Sequence, residues 1–565
     1  MSLLSTIKKL IVFNEPKKQE GFILKSTDDK EKIKSKKANT DAIEKQIKAK
    51  EAEKAKEPEP SDTISDNYEE SLRYMKDVYS IPLNSDIVLR EFIIKYKEKP
   101  VKAFIIFFDG MTDTDMINDF ILQPLMVSSE LNIDDSTDSL EEFISQQLLP
   151  HGQVNIVKSY RKVIDEINYG GCGLFANGVA VGFVSDVKGW EHRGVEKPNN
   201  ELVIKGSQEA FNEQLRTNTA HLRRRIKDEN LIAEDIKIGK KSKTPCNIIY
   251  IKSVANDMLV GEVRRRLSSI NVDYLLDTGV LEQLIEDSTF FPAPQILSTE
   301  RPDYVSEMLI NGRVAIIVAG SPNVLVVPIT AYELLHSVED EYIRFPYANL
   351  LRIIRIIAVI IALLLPGIYI AITNYHQEMI PTDLLLAIEA SWEKVPFQSV
   401  VELIIMEISF ELIREAGIRV PGPIGPTLSI VGALILGQAA VEANVVSPIL
   451  IIVVAITGIG SFAIPSYPMG YSIRIMRFVF IFLGTIAGFL GITFGLFLLG
   501  IWSTSVKSFG VPYMSPIGPK TSNNLFKVIF RAPEWKMEYR PDYLNAKKVK
   551  KQDKYSMGWK KDKKR

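Results

Sequence analysis

Cysteine and histidine are scarce in this chain of 565 residues, which has two of the first and five of the second. Cys172 and Cys246 stand far apart and no CxxC occurs, so nothing points to a disulfide framework, and a reducing compartment fits. His151, His192, His221, His336 and His376 lack the spacing with cysteine or acidic partners that zinc needs, so no metal site and no cofactor are expected. The soluble half shows no Ser/His/Asp set and no paired catalytic carboxylates, and no enzyme is read from it. "YGGCGLFANG" lacks the lysine and the strand–loop–helix order of a phosphate loop, and a strand–turn–strand is expected there. The start, "MSLLSTIKKLIVFNEPKK", has an apolar stretch broken by Lys8 and Lys9, with no small-residue cleavage site after it. No export signal is expected.

The net charge of −1 hides a strong unevenness. Residues 1–80 form a Lys/Glu-rich stretch with too little apolar surface to offset ordering entropy, and are expected to be a disordered tail. Residues 81–345 read as α/β, and the pattern occurs twice. "KAFIIFFDG" (102–110) and "CNIIYIKSV" (246–254) are apolar strands, each followed by a helix. Downstream of each come a second helix, a Gly turn and two strands, at nearly equal separations. Two tandem related subdomains follow, 81–200 and 201–345, with layered α/β packing. The runs "RRR" at 223–225 and 264–266 read as solvated helix faces, and no nucleic-acid partner is expected.

A helical membrane domain is expected over 346–516, with a basic C-terminal tail over 517–565. Four stretches read as spans: 353–372, 424–443, 448–464 and 478–502. Gly488, Gly491 and Gly495 form a small-residue stripe that would let another helix approach. A fifth apolar run, "VPFQSVVELIIMEISFELIREAG" (395–417), carries Glu402, Glu407, Glu411 and Glu415. An ionised carboxylate at a bilayer centre costs roughly 2.5 to 3.5 kcal/mol, so such groups are placed there for a reason. Soluble domains and basic tail on one side demand an even number of crossings. With four other spans, 396–413 would then lie on the membrane rather than cross it. Yet Arg414, Arg419, Arg474 and Arg477 reach the basic side only if it does cross. The even count is the reading adopted.

Several long blocks, in order, resemble the A subunits of spore germinant receptors, the GerA family. They are "KGSQEAFNEQLRTNTAHLRRRI", "TERPDYVSEMLINGRVAIIVAGSP", "VPFQSVVELIIMEISFELIREAGIRVPGPIG", "IVGALILGQAAVEANVVSP" and "FAIPSYPMGYSIRIMRF". The chain departs at Ala319, where the family usually has Asp, at Gln398, where it has a second Pro, and at Glu442 and Asn444, where Gln and Gly are common. The resemblance implies a multi-pass protein of the spore inner membrane, with its soluble domains on the cytoplasmic (core) side. It implies a transporter-like B subunit holding the nutrient, a lipoprotein C subunit, and self-association into a ring that forms a nutrient-gated ion channel. An accessory A-like role is the family's other variant.

Helical spacing sorts the acidic run into two stripes. Glu402, Met406 and Ser409 share one side, which could line an aqueous path with Leu403 narrowing it, and Glu407 is a further gating candidate. Rings of Glu favour cations. Glu411 and Arg414 form a candidate ion pair facing neighbouring protein. An interfacial amphipathic helix and a buried salt-bridge network remain the alternatives. In "TERPDYV", Glu300, Arg301 and Asp303 are candidates for a coupling or intersubunit contact, with helix capping near Asp303 as the plain alternative. The connector "HSVEDEYIRFPYANLLRIIR" joins the halves and is expected to carry the signal.

Overall fold

A computed structural model describes residues 62–96, 99–127, 140–148, 154–189, 198, 201, 203–419, 432, 435–520 and 530–552. Strands β1 (Ile87–Tyr96), β2 (Lys99–Phe108), β3 (Val154–Val157), β4 (Cys172–Ala176) and β5 (Gly182–Ser185) form a five-stranded sheet in the order β1-β2-β4-β5-β3. Strands β6 (Leu231–Ile238), β7 (Thr244–Ile251), β8 (Leu297–Thr299), β9 (Val314–Val318) and β10 (Val324–Val327) repeat that order as β6-β7-β9-β10-β8. Every pairing is antiparallel. "YGGCGLFANG" forms β4 and the turn that leads to β5.

Both faces of each sheet are covered, so the central strands are apolar throughout rather than alternating. In the second unit, Ile249, Ile251, Ala315 and Ile317 face one core, and Ile248, Tyr250, Ile316 and Val318 face the other. Helices α3 (Leu215–Arg225) and α6 (Pro302–Ile310) cover the first of these faces. Helices α4 (Asp257–Ser268) and α5 (Thr278–Ile285) cover the second. On the first sheet, α1 (Tyr68–Val78) and α2 (Tyr160–Asn168) share one face. Helix α1 falls inside the stretch expected to be a disordered tail. Its Tyr68, Leu72 and Met75 recur at helical spacing and are buried, which is apolar surface enough to order it. Arg223, expected on a solvated face, is buried instead. It pairs with Asp86 of the first unit through two contacts of 2.8 Å and lies over the Phe108 ring, so it ties the two units together.

Two helices among the described residues are long and apolar enough to cross a membrane, α8 (Phe345–Tyr375) and α12 (Tyr467–Ser505). Four were expected. The stretch 448–464 yields the shorter α11 (Pro448–Phe462), and the first half of 424–443 lies outside the described residues.

Helix α12 is not straight. Ala487 (φ −138°, ψ 18°) and Gly488 (φ 54°, ψ −136°) leave helical geometry, and the chain doubles back. Gly488 permits the left-handed backbone that the reversal needs. Beyond it, Gly491 sits against the Leu483 carbonyl, where any side chain would collide, and Gly495 sits against Phe480. The glycine stripe therefore closes a hairpin within α12 rather than marking one face of a continuous helix. Its arms, 467–486 and 489–505, are about 30 and 25 Å long at 1.5 Å per residue. Tyr375, at the end of α8, donates to the carbonyls of Thr485 (2.6 Å) and Ile486 (2.9 Å), two of the acceptors freed where the outgoing arm stops. The open end rests on the second soluble unit, with Ser472 donating to Pro292 O and Trp502 edge-on to Phe291 at 5.4 Å.

After the hairpin the chain re-enters the second unit. Strands β11 (Lys507–Ser508) and β12 (Val511–Pro512) flank Phe509, which is buried in that unit's core. Residues 530–552 pack on the same unit rather than hanging free. Arg540 donates to Ile310 O (2.6 Å), Lys547 N to Val254 O (2.9 Å), and Leu544 is fully buried.

Helices α8 and α12 cross at glycines. A Cβ on Gly484 would stand 2.7 Å from Gly367 O, and one on Gly367 would stand 2.8 Å from Phe480 O. Gly484→Val should therefore destabilise the full chain by about 1–3 kcal/mol or more through overpacking. Gly500→Ala, with nothing within 4 Å of its Cβ, should be neutral. Thermal unfolding in detergent reads the difference, and equal melting of the two variants would contradict the crossing.

Candidate functional site

Helix α10 (Ser399–Arg419) is the acidic run, and it lies lengthwise in the bundle. Its start meets the end of α8, where Ser399 Oγ donates to Asn374 Oδ1 (3.1 Å). Its later turns meet the end of α11, where Arg414 Nη2 donates to Ser461 Oγ (2.9 Å). Gly460, beside Ser461, packs on the backbone of Ala358, near the middle of α8. The helix thus runs antiparallel to the second half of α8.

Most of the charged groups of α10 turn inward, while Glu415 and Arg419 pair with each other at its exposed end. Glu407 is fully buried and ion-paired with Arg477, itself 2 % exposed. Glu411 takes Arg414 at 3.0 Å from its own helix and Arg474 at 3.1 Å from α12. Glu402 is 1 % exposed and accepts the Ser447 N–H at 2.9 Å, just ahead of α11. Leu403 and Met406 are buried among Tyr369, Ile370, Val446 and Leu450. Ser409 is half-buried, and its hydroxyl is spent on Ile405 O (2.7 Å). The face turned out of the bundle carries Val401, Ile404, Ile405, Ile408 and Leu412.

Sequence reasoning gave Glu411 and Arg414 as partners but treated Arg474 and Arg477 only as topology markers. The signal was available. Two arginines three residues apart lead into an apolar run, and two glutamates four apart lie on the acidic helix, so each set shares one helix face.

A second charged cluster holds the connector. Helix α7 (Glu339–Tyr342) presents Asp340, fully buried, to Arg352 at 3.1 Å and Arg355 at 2.7 Å on α8. Arg531 of the returning tail donates to Asp340 O (2.9 Å) and Ile343 O (3.2 Å) and pairs with Glu341 at 2.8 Å. Burial, with Glu307 nearby, pushes the Glu341 carboxyl above its ordinary value in spite of Arg531 and Arg352.

The "TERPDYV" residues lie one contact away. Arg301, 1 % exposed, donates to Glu201 O (3.1 Å) and Ser207 O (2.9 Å) and pairs with Asp303 at 2.7 Å. Asp303 accepts the Tyr342 hydroxyl. Glu300 is buried beside them, and its carbonyl accepts Phe211 N–H (2.8 Å). Arg301 is the N-cap of α6 and makes no side-chain cap bond; Asp303 lies in the first turn. A cavity of about 350 Å³ opens between this group and the 465–468 loop of the bundle, lined by Glu201, Glu300, Arg301, His336 and Tyr467 among others. Burial raises the Glu201 carboxyl to about 7, against the pull of its Thr299 hydrogen bond.

Removing one partner of a buried ion pair strands the other. Arg477→Met should cost about 3–5 kcal/mol of stability, and adding Glu407→Leu should recover most of it. Unfolding of the full chain in detergent measures both. A single variant as stable as wild type would mean that the pair carries no weight.

Residues 73–543 match the family model described as Bacillus/Clostridium GerA spore germination protein. Spore germination protein KA of Bacillus subtilis is 38% identical over 475 residues, 84% of this chain and 86% of that protein. Spore germination protein A1 of the same organism is 42% identical over 379 residues, 67% of this chain and 78% of that one. The solved N-terminal domain of the A subunit of the Bacillus megaterium spore germinant receptor GerK3 is 31% identical. That match covers 47% of this chain and 96% of that domain, at a TM-score of 0.36. With a family model matched from residue 73 to residue 543, over most of the chain, the chain belongs to the GerA family of spore germination proteins.

Proposed function

We propose that this chain is the A subunit of a nutrient germinant receptor, and that it gates a cation path across the spore inner membrane. It works with a transporter-like B subunit, which holds the nutrient, and a lipoprotein C subunit, and it assembles with its own copies into a ring. The observation that carries this reading is the acidic helix. Its Glu402 and Glu407 carboxylates lie inside an apolar bundle that is clamped to the soluble units at both ends of its chain path. Glu402, Leu403, Met406, Glu407 and Ser409 are the candidates for the path and its gate. Glu300, Arg301 and Asp303 are the candidates for coupling, through Tyr342 and Asp340, to α8.

The same reading orders the topology. α8, α10, the stretch 424–443, α11 and the two arms of α12 make an even number of passes. Soluble units and tail then share the cytoplasmic side, and Arg414, Arg419, Arg474 and Arg477 lie toward it. Counting the hairpin as two passes removes the conflict between the even count and a crossing acidic helix.

One observation favours a second reading, an accessory protein or scaffold without its own pore. The outward face of α10 is apolar in the single chain. A ring lined by Glu402 therefore needs α10 to turn, or the path to run inside each protomer.

Cation release from liposomes containing the chain with its B and C partners separates the readings. At matched assembly, Glu402→Gln should reduce flux or cation selectivity. Unchanged flux in both Glu402→Gln and Glu407→Gln would remove the acidic helix from the path. No flux with every partner present would favour the scaffold.

The connector gives an independent test. A flexible Gly/Ser insert between Tyr342 and Phe345, or the milder Arg531→Gln, should weaken the nutrient response while leaving assembly intact. Spores that germinate normally with the insert would sink the coupling route.

A further inference from the structure

Glu402 differs from the other buried carboxylate of α10. Glu407 has Arg477, whereas Glu402 pairs with no Lys, Arg or His among the described residues. Its Oε2 is held by the Ser447 N–H, while its Oε1 is buried without a hydrogen-bond partner. Two more buried polar atoms come to the same place from other helices. They are the Tyr369 hydroxyl on α8 and the indole Nε1 of Trp392, the last residue of α9 (Thr382–Trp392). Tyr369 packs in one cluster with Leu403, Val446 and Leu450, the neighbours of Glu402 and Ser447, and its hydroxyl lies by Ser447 and Trp392. Four helices thus meet around the buried Glu402 carboxylate, with the Tyr369 phenol beside Ser447. Ser447 adds a third oxygen there, as the N-cap of α11.

Charge decides what such a point can hold. The N-terminus of α11 supplies roughly half a positive charge. That does not neutralise a full carboxylate inside an apolar bundle. A divalent ion calls for more ligands of its kind, commonly several carboxylates. No group of three or more His, Cys, Asp or Glu suited to a metal occurs among the described residues. One carboxylate with neutral hydroxyls balances one unit of positive charge.

We propose that the junction of α8, α9, α10 and α11 binds a single monovalent cation within each chain, through Glu402 Oε1 and the hydroxyl oxygens of Tyr369 and Ser447. The proposal builds on the reading of the chain as a cation-path subunit and places the ion inside the protomer rather than on a ring axis. The competing way to neutralise Glu402 is a proton, which needs no other ion.

The test is equilibrium binding of radioactive rubidium, with sodium and potassium as competitors, to the purified full-length chain in detergent. Wild type should bind saturably with about one ion per chain. Glu402→Gln should lose the binding, and Tyr369→Phe, which keeps the shape, should weaken it about tenfold for the loss of one ligand. Thr493→Ala, on the hairpin away from the junction, should match wild type. No saturable binding in wild type, or binding retained in Glu402→Gln at unchanged melting temperature, would overturn the site and leave the proton as the neutralising species. Binding does not require flux. Binding without flux in liposomes keeps the site and removes the channel, and flux without binding does the reverse.

Discussion

A charge buried in an apolar helix bundle has to be matched, and that requirement sets the arrangement of the membrane half. Glu407 is fully buried and can stay ionised only where Arg477 reaches it. The pair fixes α10 against the outgoing arm of α12 in depth and in rotation. Glu411, with Arg474 from that arm and Arg414 from its own helix, fixes the next turn. Once these contacts hold, the other groups of α10 have little freedom. Glu402 lies five residues before Glu407 and twelve before Arg414, makes no ion pair with the arginines, and takes the N-terminal amide of α11 instead. The apolar residues between them fill the space beside Tyr369 and Leu450.

Much of the soluble half could be read from the chain. β2, β4, β5, β7, β9 and β10 are apolar runs because helices cover both faces of each sheet, and the repeated helix–turn–strand pattern marked the duplication. The edge strands β1, β3, β6 and β8 escaped the reading. β1 carries Arg90 and Glu91, and β6 carries Glu234, Asp235 and Lys237, the charges expected on an unpaired edge. β3 and β8 are too short to show a period.

The membrane half was legible in its parts and not in its assembly. A hydropathy window across 478–502 cannot register a reversal, since Ala487 and Gly488 are as apolar as their neighbours. The glycines were visible, but a helical stripe and a tight hairpin use the same spacing. The acidic helix was plain, whereas the Glu402 partner is a backbone amide, which no side-chain pattern encodes. Asn444 is a partial exception. The resemblance suggests Gly at this position, and the φ of 52° fits that, because Asn tolerates the left-handed backbone better than most residues.

The hairpin and the returning tail also constrain how a signal could cross the molecule. The second soluble unit grips the bundle at the connector, where Asp340 holds Arg352 and Arg355, and at the mouth of the hairpin, where Pro292 and Phe291 meet Ser472 and Trp502. Phe509 then enters the unit's core, and Arg531 closes the loop back onto the connector. A rigid shift of that unit would therefore move the start of α8 and both arms of α12 together. Helix α10 has no such tether among the described residues. It meets the rest through Asn374, Arg474, Arg477, Ser461, Ser447 and side-chain packing. A displacement of α12 reaches it first through the ion pairs, so the contacts that neutralise the acidic helix are also those through which the soluble units would move it.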